Sequence, residues 1–343
     1  MTKQEKKKDK RRRRKILLAL LLVVFTGIIL TANTYAWFTS NKTITVEAID
    51  VQVATANGIQ VSVDGVNWKT IITNADLNST LGASTLYTTN TNQLPFRTHN
   101  NSETPATVKP VSTGGTIAND KLNMYLGELA SDAGGNTILK STKSTEAKGD
   151  KGDFVAFDLF FMVTQNSTVK LGTGSEVSAS AGATNRGLKN AARAAFIKLG
   201  KATIGSNAST IQGIGGGQDL IIWEPNNNVH TDAAIADALS TYNLSVTSNQ
   251  QIASYYGVDA VLSTGVSLKD LGSSSNPIGT NFKSVTPTLK TPDGALTADQ
   301  NWFSLDAGIT KVRFYLWIEG QDVDCENTAS GDAITYNMNF VLV

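Results

Sequence analysis

Cysteine and histidine are nearly missing from this chain. Cys325 is the one cysteine in 343 residues, and His99 and His230 are the only histidines. A single thiol excludes a disulfide within the chain and any thiolate metal cluster, so stability has to come from a large core. Cys325 reads as a small buried residue, with cross-linking of subunits through an outward thiol as the alternative. The histidines stand 131 residues apart, which leaves no His-Glu-x-x-His zinc site and no other short-spaced pair. Neither lies beside a Gly-x-Ser-x-Gly elbow, and Gly213 to Gly217 (GIGGG) fits neither a dinucleotide fingerprint nor a phosphate loop. The expectation is a non-enzyme with no catalytic residue and no cofactor, its histidines being surface or hydrogen-bonded structural groups.

Positive charge is also scarce once the first 36 residues are set aside. That stretch holds ten Lys and Arg against Glu5 and Asp9, leaving 20 basic and 27 acidic residues after Ala36, a net charge of −7. A mildly acidic body has no electrostatic reason to bind nucleic acid or anionic lipid. The basic residues are concentrated in 3–15, directly before the uncharged run Ile16 to Leu30 (ILLALLLVVFTGIIL). A basic head, a 15-residue apolar middle and a following small residue form a secretory signal peptide over 1–36, and the basic head stays on the cytoplasmic side. Cleavage after Ala36, with Thr34 at the third position before the cut, would start the mature chain at Trp37. The alternative is an uncleaved anchor, because 16–38 is long enough to cross a bilayer. Asn33, Thr34, Tyr35 and Trp37 interrupt the apolar run and favour cleavage. Either way, the remainder sits outside the cell, with the membrane touched only through 16–38.

Beyond the junction the dominant period is two, which predicts a mainly β protein. Ile59, Val61 and Val63 alternate with polar residues up to Asp64-Gly65, and Val66 and Trp68 resume, which predicts a hairpin over 58–72. Ile334, Tyr336, Met338, Phe340 and Leu342 alternate with polar residues in a half-buried final strand. Phe154 to Val163 and Val312 to Ile318 are apolar on nearly both faces, as central strands of two sheets packed face to face would be. Leu188, Ala191, Ala192, Ala195, Phe196 and Leu199 share one helical stripe, and Asp232 to Leu239 suits a short helix. Residues 73–150 read as a loop-rich insertion, with sustained alternation only at Lys121 to Leu129. The stretches 203–218 and 273–291 also read as loops. The organisation expected is a signal segment 1–36, an N-terminal strand and hairpin 37–72, the insertion 73–150 and the main β domain 151–343.

Two segments invite a functional reading. In Thr43 to Ala54 the apolar residues run Ile44, Val46, Ala48 and then Ile49, Val51, Val53, so the phase slips by one at Ala48-Ile49 and predicts a bulge. A strand of this kind, freed by proteolysis, is a natural donor to a neighbour's open sheet edge; pairing within its own domain is the alternative. The second segment carries Asp322, Asp324, Glu326 and Asp332 between two strong strands. Alternating carboxylates on a turn are a weak Ca²⁺ candidate, since the spacing lacks the glycine and distal glutamate of an EF-hand; a solvated acidic loop is the plainer expectation.

The Thr34-Tyr35-Ala36-Trp37-Phe38-Thr39-Ser40 junction behind its apolar run resembles that of the TasA/camelysin family of Gram-positive exported proteins. The specific match covers residues 16–40. The resemblance implies a SipW-type signal peptidase, a jelly-roll fold and self-association into biofilm-matrix fibres through an N-terminal strand passed to the next subunit. This chain is longer than typical fibre-forming members. Trp317 to Asp322 (WIEGQD) and Trp223 to Asn226 (WEPN) also resemble stretches of exported proteins with the same junction, with no chemistry attached to them. Three functions follow as expectations: a structural fibre subunit, a membrane-anchored surface binding or adhesion protein, and a camelysin-like metalloprotease, for which no zinc constellation is visible.

Overall fold

The computed structural model describes residues 44–54 (as backbone), 59–78, 86–94, 107–149, 152–182, 184–269, 271–274, 277–326 and 329–342. The predicted signal segment 1–36, the Ala36-Trp37 junction and His99 lie outside these. The chain divides between Ala36 and Trp37, and everything described belongs to the second unit. Among the described residues no helix is long and apolar enough to cross a membrane.

The protein is mainly β, as the period-two pattern predicts. One six-stranded sheet contains β1 (Ile44–Ala54), β3 (Thr107–Val108), β10 (Ser167–Leu171), β11 (Glu176–Ala179), β18 (Gln300–Leu305) and β20 (Ala333–Leu342). Its main path runs β18-β10-β20-β1-β3, with β11 also on β20. A second six-stranded sheet contains β2 (Gln60–Ser62), β9 (Val155–Val163), β12 (Ala192–Ala202), β13 (Asp219–Glu224), β17 (Leu289–Lys290) and β19 (Gly308–Ile318), in the order β17-β13-β12-β19-β9-β2. A four-stranded sheet joins β4 (Val111–Ser112), β7 (Met124–Ser131), β8 (Thr137–Ser144) and β15 (Leu262–Ser267). Two ribbons complete the set: β5 (Ile117–Ala118) with β6 (Lys121–Leu122), and β14 (Tyr255–Val258) with β16 (Phe282–Val285). The helices are α1 (Asn74–Asn78), α2 (Ala208–Gln212) and α3 (Asp232–Tyr242).

The two six-stranded sheets meet through aromatic side chains. Phe340 on β20 stacks on Trp302 at 4.2 Å between ring centroids and lies 5.8 Å from Phe314 on β19. Phe196 on β12 meets Trp302 edge-on at 4.0 Å. Such pairs add to the burial of large apolar area. Phe340→Ala should therefore cost about 3–5 kcal/mol, read as a lower urea midpoint with unchanged slope. A cost below about 1 kcal/mol would mean that the sheets do not meet there.

The second sheet is covered on its other face as well. Residues 312, 314, 316 and 318 of β19 belong to the core shared with the first sheet, whereas Tyr315 and Trp317 pack with Val111, Leu122, Met124 and Tyr255. All eleven residues of β19 are buried. That double burial explains the continuous apolar runs, and it corrects the expectation that they belong to different sheets. Phe154 to Val163 supplies β9, which pairs antiparallel with β19 from Gly308↔Val163 to Leu316↔Val155. Burial on both faces reports a layer on each side of a strand and carries no information about its partner.

Four local expectations are corrected. The stripe Leu188 to Leu199 is not a helix: after one 3-10 turn (Leu188–Ala191) it becomes β12, because a segment apolar on both faces matches period 3.6 and period 2 alike. The hairpin at 58–72 does reverse, with Gly65 at φ 71° and the Asp64 carboxylate accepting from the backbone N–H of Val66 and Asn67. Its return arm is a single bridge, Val61↔Lys69, rather than a strand. The 73–150 stretch carries strands beyond Lys121 to Leu129, since Thr137 to Ser144 pairs with β7 along its whole length. The loop stretches likewise contain α2, β16 and β17. Helix α3 confirms the expectation for Asp232 to Leu239 and runs three residues further, capped by the Thr231 hydroxyl and ended by Asn243 in the left-handed region.

Candidate functional site

The first candidate is the seat of β1. It runs parallel to β20 in its own chain and antiparallel to β3. Val46 registers with Ile334, Ile49 with Tyr336, Val51 with Met338, Val53 with Phe340, and Ile44 with Val108. The register shifts between Val46 and Ala48, one residue before the slip read at Ala48-Ile49. The extra residue reconciles the two phases: Val46 and Ile49 are three apart in sequence, while their partners Ile334 and Tyr336 are two apart and both buried.

The second candidate lies on the far face of the second sheet, where charged residues are buried among apolar ones. On one side Arg313 Nη1 donates to Asp158 at 2.9 Å and Nη2 to Glu146 at 2.6 Å. Tyr87 donates to Asp158 at 2.6 Å, Tyr315 to Glu146 at 2.6 Å, and Lys311 stands 3.5 Å from Asp158. Burial pushes the Asp158 carboxyl up, but Arg313, Lys311 and the bond from Tyr87 outweigh it and hold it below the ordinary carboxylate value. Burial and Asp158 push the Tyr87 phenol well above its ordinary range.

On the other side Arg193, from β12, donates to Glu224 at the end of β13 and to Asp322 in the turn after β19. Its second amino group bonds the carbonyls of Asn190 and Ala192. The two aromatic-acid stretches thus converge, Trp223-Glu224 and Glu319 to Asp322 meeting at one guanidinium. Glu319 accepts from Trp317 Nε1 at 3.0 Å and from the Gln321 N–H at 3.1 Å. Burial is the largest influence on its carboxyl and, despite these donors and Arg193, raises it to about 7. Burial alone would push the Glu224 carboxyl further up than it goes, because Arg193 opposes it.

The acidic turn is not solvated. Asp322, Asp324, Glu326 and Asp332 are all buried. Asp322 holds Arg193, Asp324 holds His230 Nδ1 at 2.6 Å, and Asp332 accepts from the Arg186 N–H at 2.7 Å. Among the described residues no group of three or more His, Cys, Asp or Glu side chains is arranged to hold a metal ion. His230 Nε2 faces the Gln250 carbonyl at 2.8 Å, so both ring nitrogens face acceptors and the charged imidazolium fits best. Burial opposes that charge, yet Asp324 raises the pKa of His230. Cys325 is buried and forms no disulfide.

Beside the Arg193 cluster opens a cavity of about 350 Å³. Its lining includes Arg193, Glu224, Gln321 and Asp322 together with Tyr255, Tyr256, Leu244 and Leu271, the Arg193 guanidinium lying 5.8 Å from the Tyr255 ring centroid. Sequence reasoning missed Arg193 because the segment around it, 188–199, reads as a helix through its apolar stripe. The usable signal is a lone charge inside a run that also fits period two, Ala192, Ala194 and Phe196 on one face and Arg193, Ala195 and Ile197 on the other.

Compared with family profiles, curated proteins and solved structures, the chain gives no match. The TasA/camelysin resemblance therefore rests on residues 16–40.

Proposed function

We propose that this is an exported structural protein of the cell surface or extracellular matrix. A SipW-type peptidase cuts it after Ala36, and it assembles into fibres by passing β1 to the next subunit, with the two six-stranded sheets forming a jelly-roll-like sandwich. The observation that carries this reading is the seat of β1. The segment just after the junction lies between β20 and β3 and is held by backbone pairing, which a neighbour's identical strand would satisfy equally well. Exchange trades one copy of a ladder for another, so it needs no new surface.

An intact mass with Trp37 as the first residue is expected for the released protein, and filaments by electron microscopy. A cysteine pair tests the exchange itself. Asp50 registers with Asn337, so Asp50→Cys/Asn337→Cys in a Cys325→Ser background should oxidise between chains in assembled material. A ladder of covalent multimers is expected on a non-reducing gel. A single-chain band from assembled material would show that β1 stays at home.

A second reading, a surface protein that binds a ligand, is favoured by the cavity beside Arg193.

A further inference from the structure

Arg193 and Tyr255 pack on each other at one side of the cavity, and Leu244, Ile252, Tyr256, Leu271 and Val323 form the apolar part of its lining. Leu244 is 40% exposed although it lines the cavity, so apolar surface stands uncovered there and gains by excluding water. An apolar cavity of about 150 Å³ takes a benzene. This one, at about 350 Å³, has room for aromatic side chains.

The residues beside the predicted cut fit it. Trp37 and Phe38 are adjacent aromatics, and the polar stretch Thr39-Ser40-Asn41-Lys42-Thr43 ties them to β1. Thr45 registers with Ala333 in the parallel β1-β20 pair, so the chain enters β1 at the end of the sheets where the turn after β19 leads into β20. That turn carries Gln321, Asp322 and Val323 of the cavity lining. A continuous path joins the two places. Ile44 registers with Val108, Val111 follows three residues later, and the Val111 carbonyl accepts from the N–H of Gly320, the neighbour of Gln321. Strand spacings of about 4.8 Å and steps of about 3.6 Å per residue make that path at most about 25 Å long. Residues 37–43 span about 23–25 Å when extended, and the two aromatic side chains lengthen that reach. So short a tether holds the pair at an effective concentration of about millimolar.

We propose that the cavity is the receptor for Trp37 and Phe38, the first two residues of the cleaved chain, from whichever copy lends β1 to that sheet. The inference rests on cleavage after Ala36, because in the uncut chain residues 16–38 stay with the membrane. It does not depend on strand exchange, since β1 occupies the same seat in either case.

Hydroxyl-radical footprinting of the released protein tests it. Trypsin cuts after Lys42 and yields one peptide that reports both the N-terminus and the two aromatic rings. A peptide 37–42 is expected, with Trp37 and Phe38 oxidised at least tenfold more slowly than in the urea-unfolded chain. Ser254→Trp, which fills the cavity from its own lining, should bring their rates within twofold of the unfolded chain, with an unchanged circular dichroism spectrum. Trp37→Ser/Phe38→Ser changes no residue of the described core and should speed oxidation of Leu244 and Tyr256 at least threefold. The docking is overturned if the pair reacts at the unfolded rate or stays protected in Ser254→Trp. It is also overturned if Leu244 and Tyr256 react alike with and without the pair, which would mean that a second copy or nothing covers the cavity. A tryptic peptide starting at Ile16 would overturn cleavage and docking together, whereas one starting at Trp37 with exposed rings overturns the docking alone.

Discussion

Arg313→Leu should lower the free energy of unfolding by about 3–5 kcal/mol, because it removes one partner of a buried pair and leaves the others charged. Arg313 is 2% exposed and bonds two carboxylates at once, Asp158 on the neighbouring strand β9 and Glu146 from the loop after β8. Lys311 at 3.5 Å from Asp158 and Lys121 at 3.0 Å from Glu146 remain. Both are point charges without the forked geometry that serves two acids together. Adding Asp158→Leu should restore part of the loss, since an apolar pair avoids the desolvation that a lone buried carboxylate suffers.

The acid limb moves with it. The folded state holds Asp158 below its unfolded value, so this group's stabilisation is complete above the unfolded value and is lost as pH falls through the folded one. Without Arg313 the folded value rises, and acid unfolding should begin at higher pH. Urea titrations from pH 7 to pH 3 measure both effects. A loss under 1 kcal/mol with an unmoved acid limb would mean that the pair is solvated in solution.

The same network shows what could be read in advance. The alternation in Ile334 to Leu342 gave β20 because one of its faces is buried and the other is not. The phase slip near Ala48 gave the bulge because pairing has a period of two and the slip breaks it. Asp158 and Arg313 stood in view as single charges inside FVAFDLFFMV and VRFYLWI, but their partnership depends on β9 and β19 being neighbours, which periodicity does not encode. The cavity depends on still longer connections. Arg193, Glu224 and Asp322 are spread over 130 residues and meet because β12 pairs with both β13 and β19. The acidic turn was legible as a cluster of carboxylates and misread as solvated, because the cations that neutralise it, Arg193 and His230, come from distant elements.

Glu319→Gln should reverse its effect on stability between pH 5 and pH 8. Glu319 is fully buried at the end of β19, and its carboxyl titrates near 7 rather than at the ordinary 4.5. A folded value above the unfolded one means that folding takes up a proton. The fold therefore bears no penalty from this group below the unfolded value, and loses stability progressively as pH rises from about 4.5 to about 7. At about 1.4 kcal/mol per pH unit, the accumulated penalty is about 3 kcal/mol.

Glutamine cannot ionise and escapes that penalty. Its amide nitrogen cannot accept a hydrogen bond, whereas both oxygens of the wild-type carboxyl, protonated at pH 5, keep lone pairs for the Trp317 indole and the Gln321 N–H. It should therefore be less stable than the wild type by about 1 kcal/mol at pH 5. At pH 8 the balance should favour the variant by about 2 kcal/mol, since the avoided ionisation exceeds the lost bond. Unfolding by urea at the two pH values reads the crossing directly. A gap that does not change with pH would show that Glu319 ionises in the fold as it does in water, which is incompatible with its position between Trp317 and the Arg193 cluster.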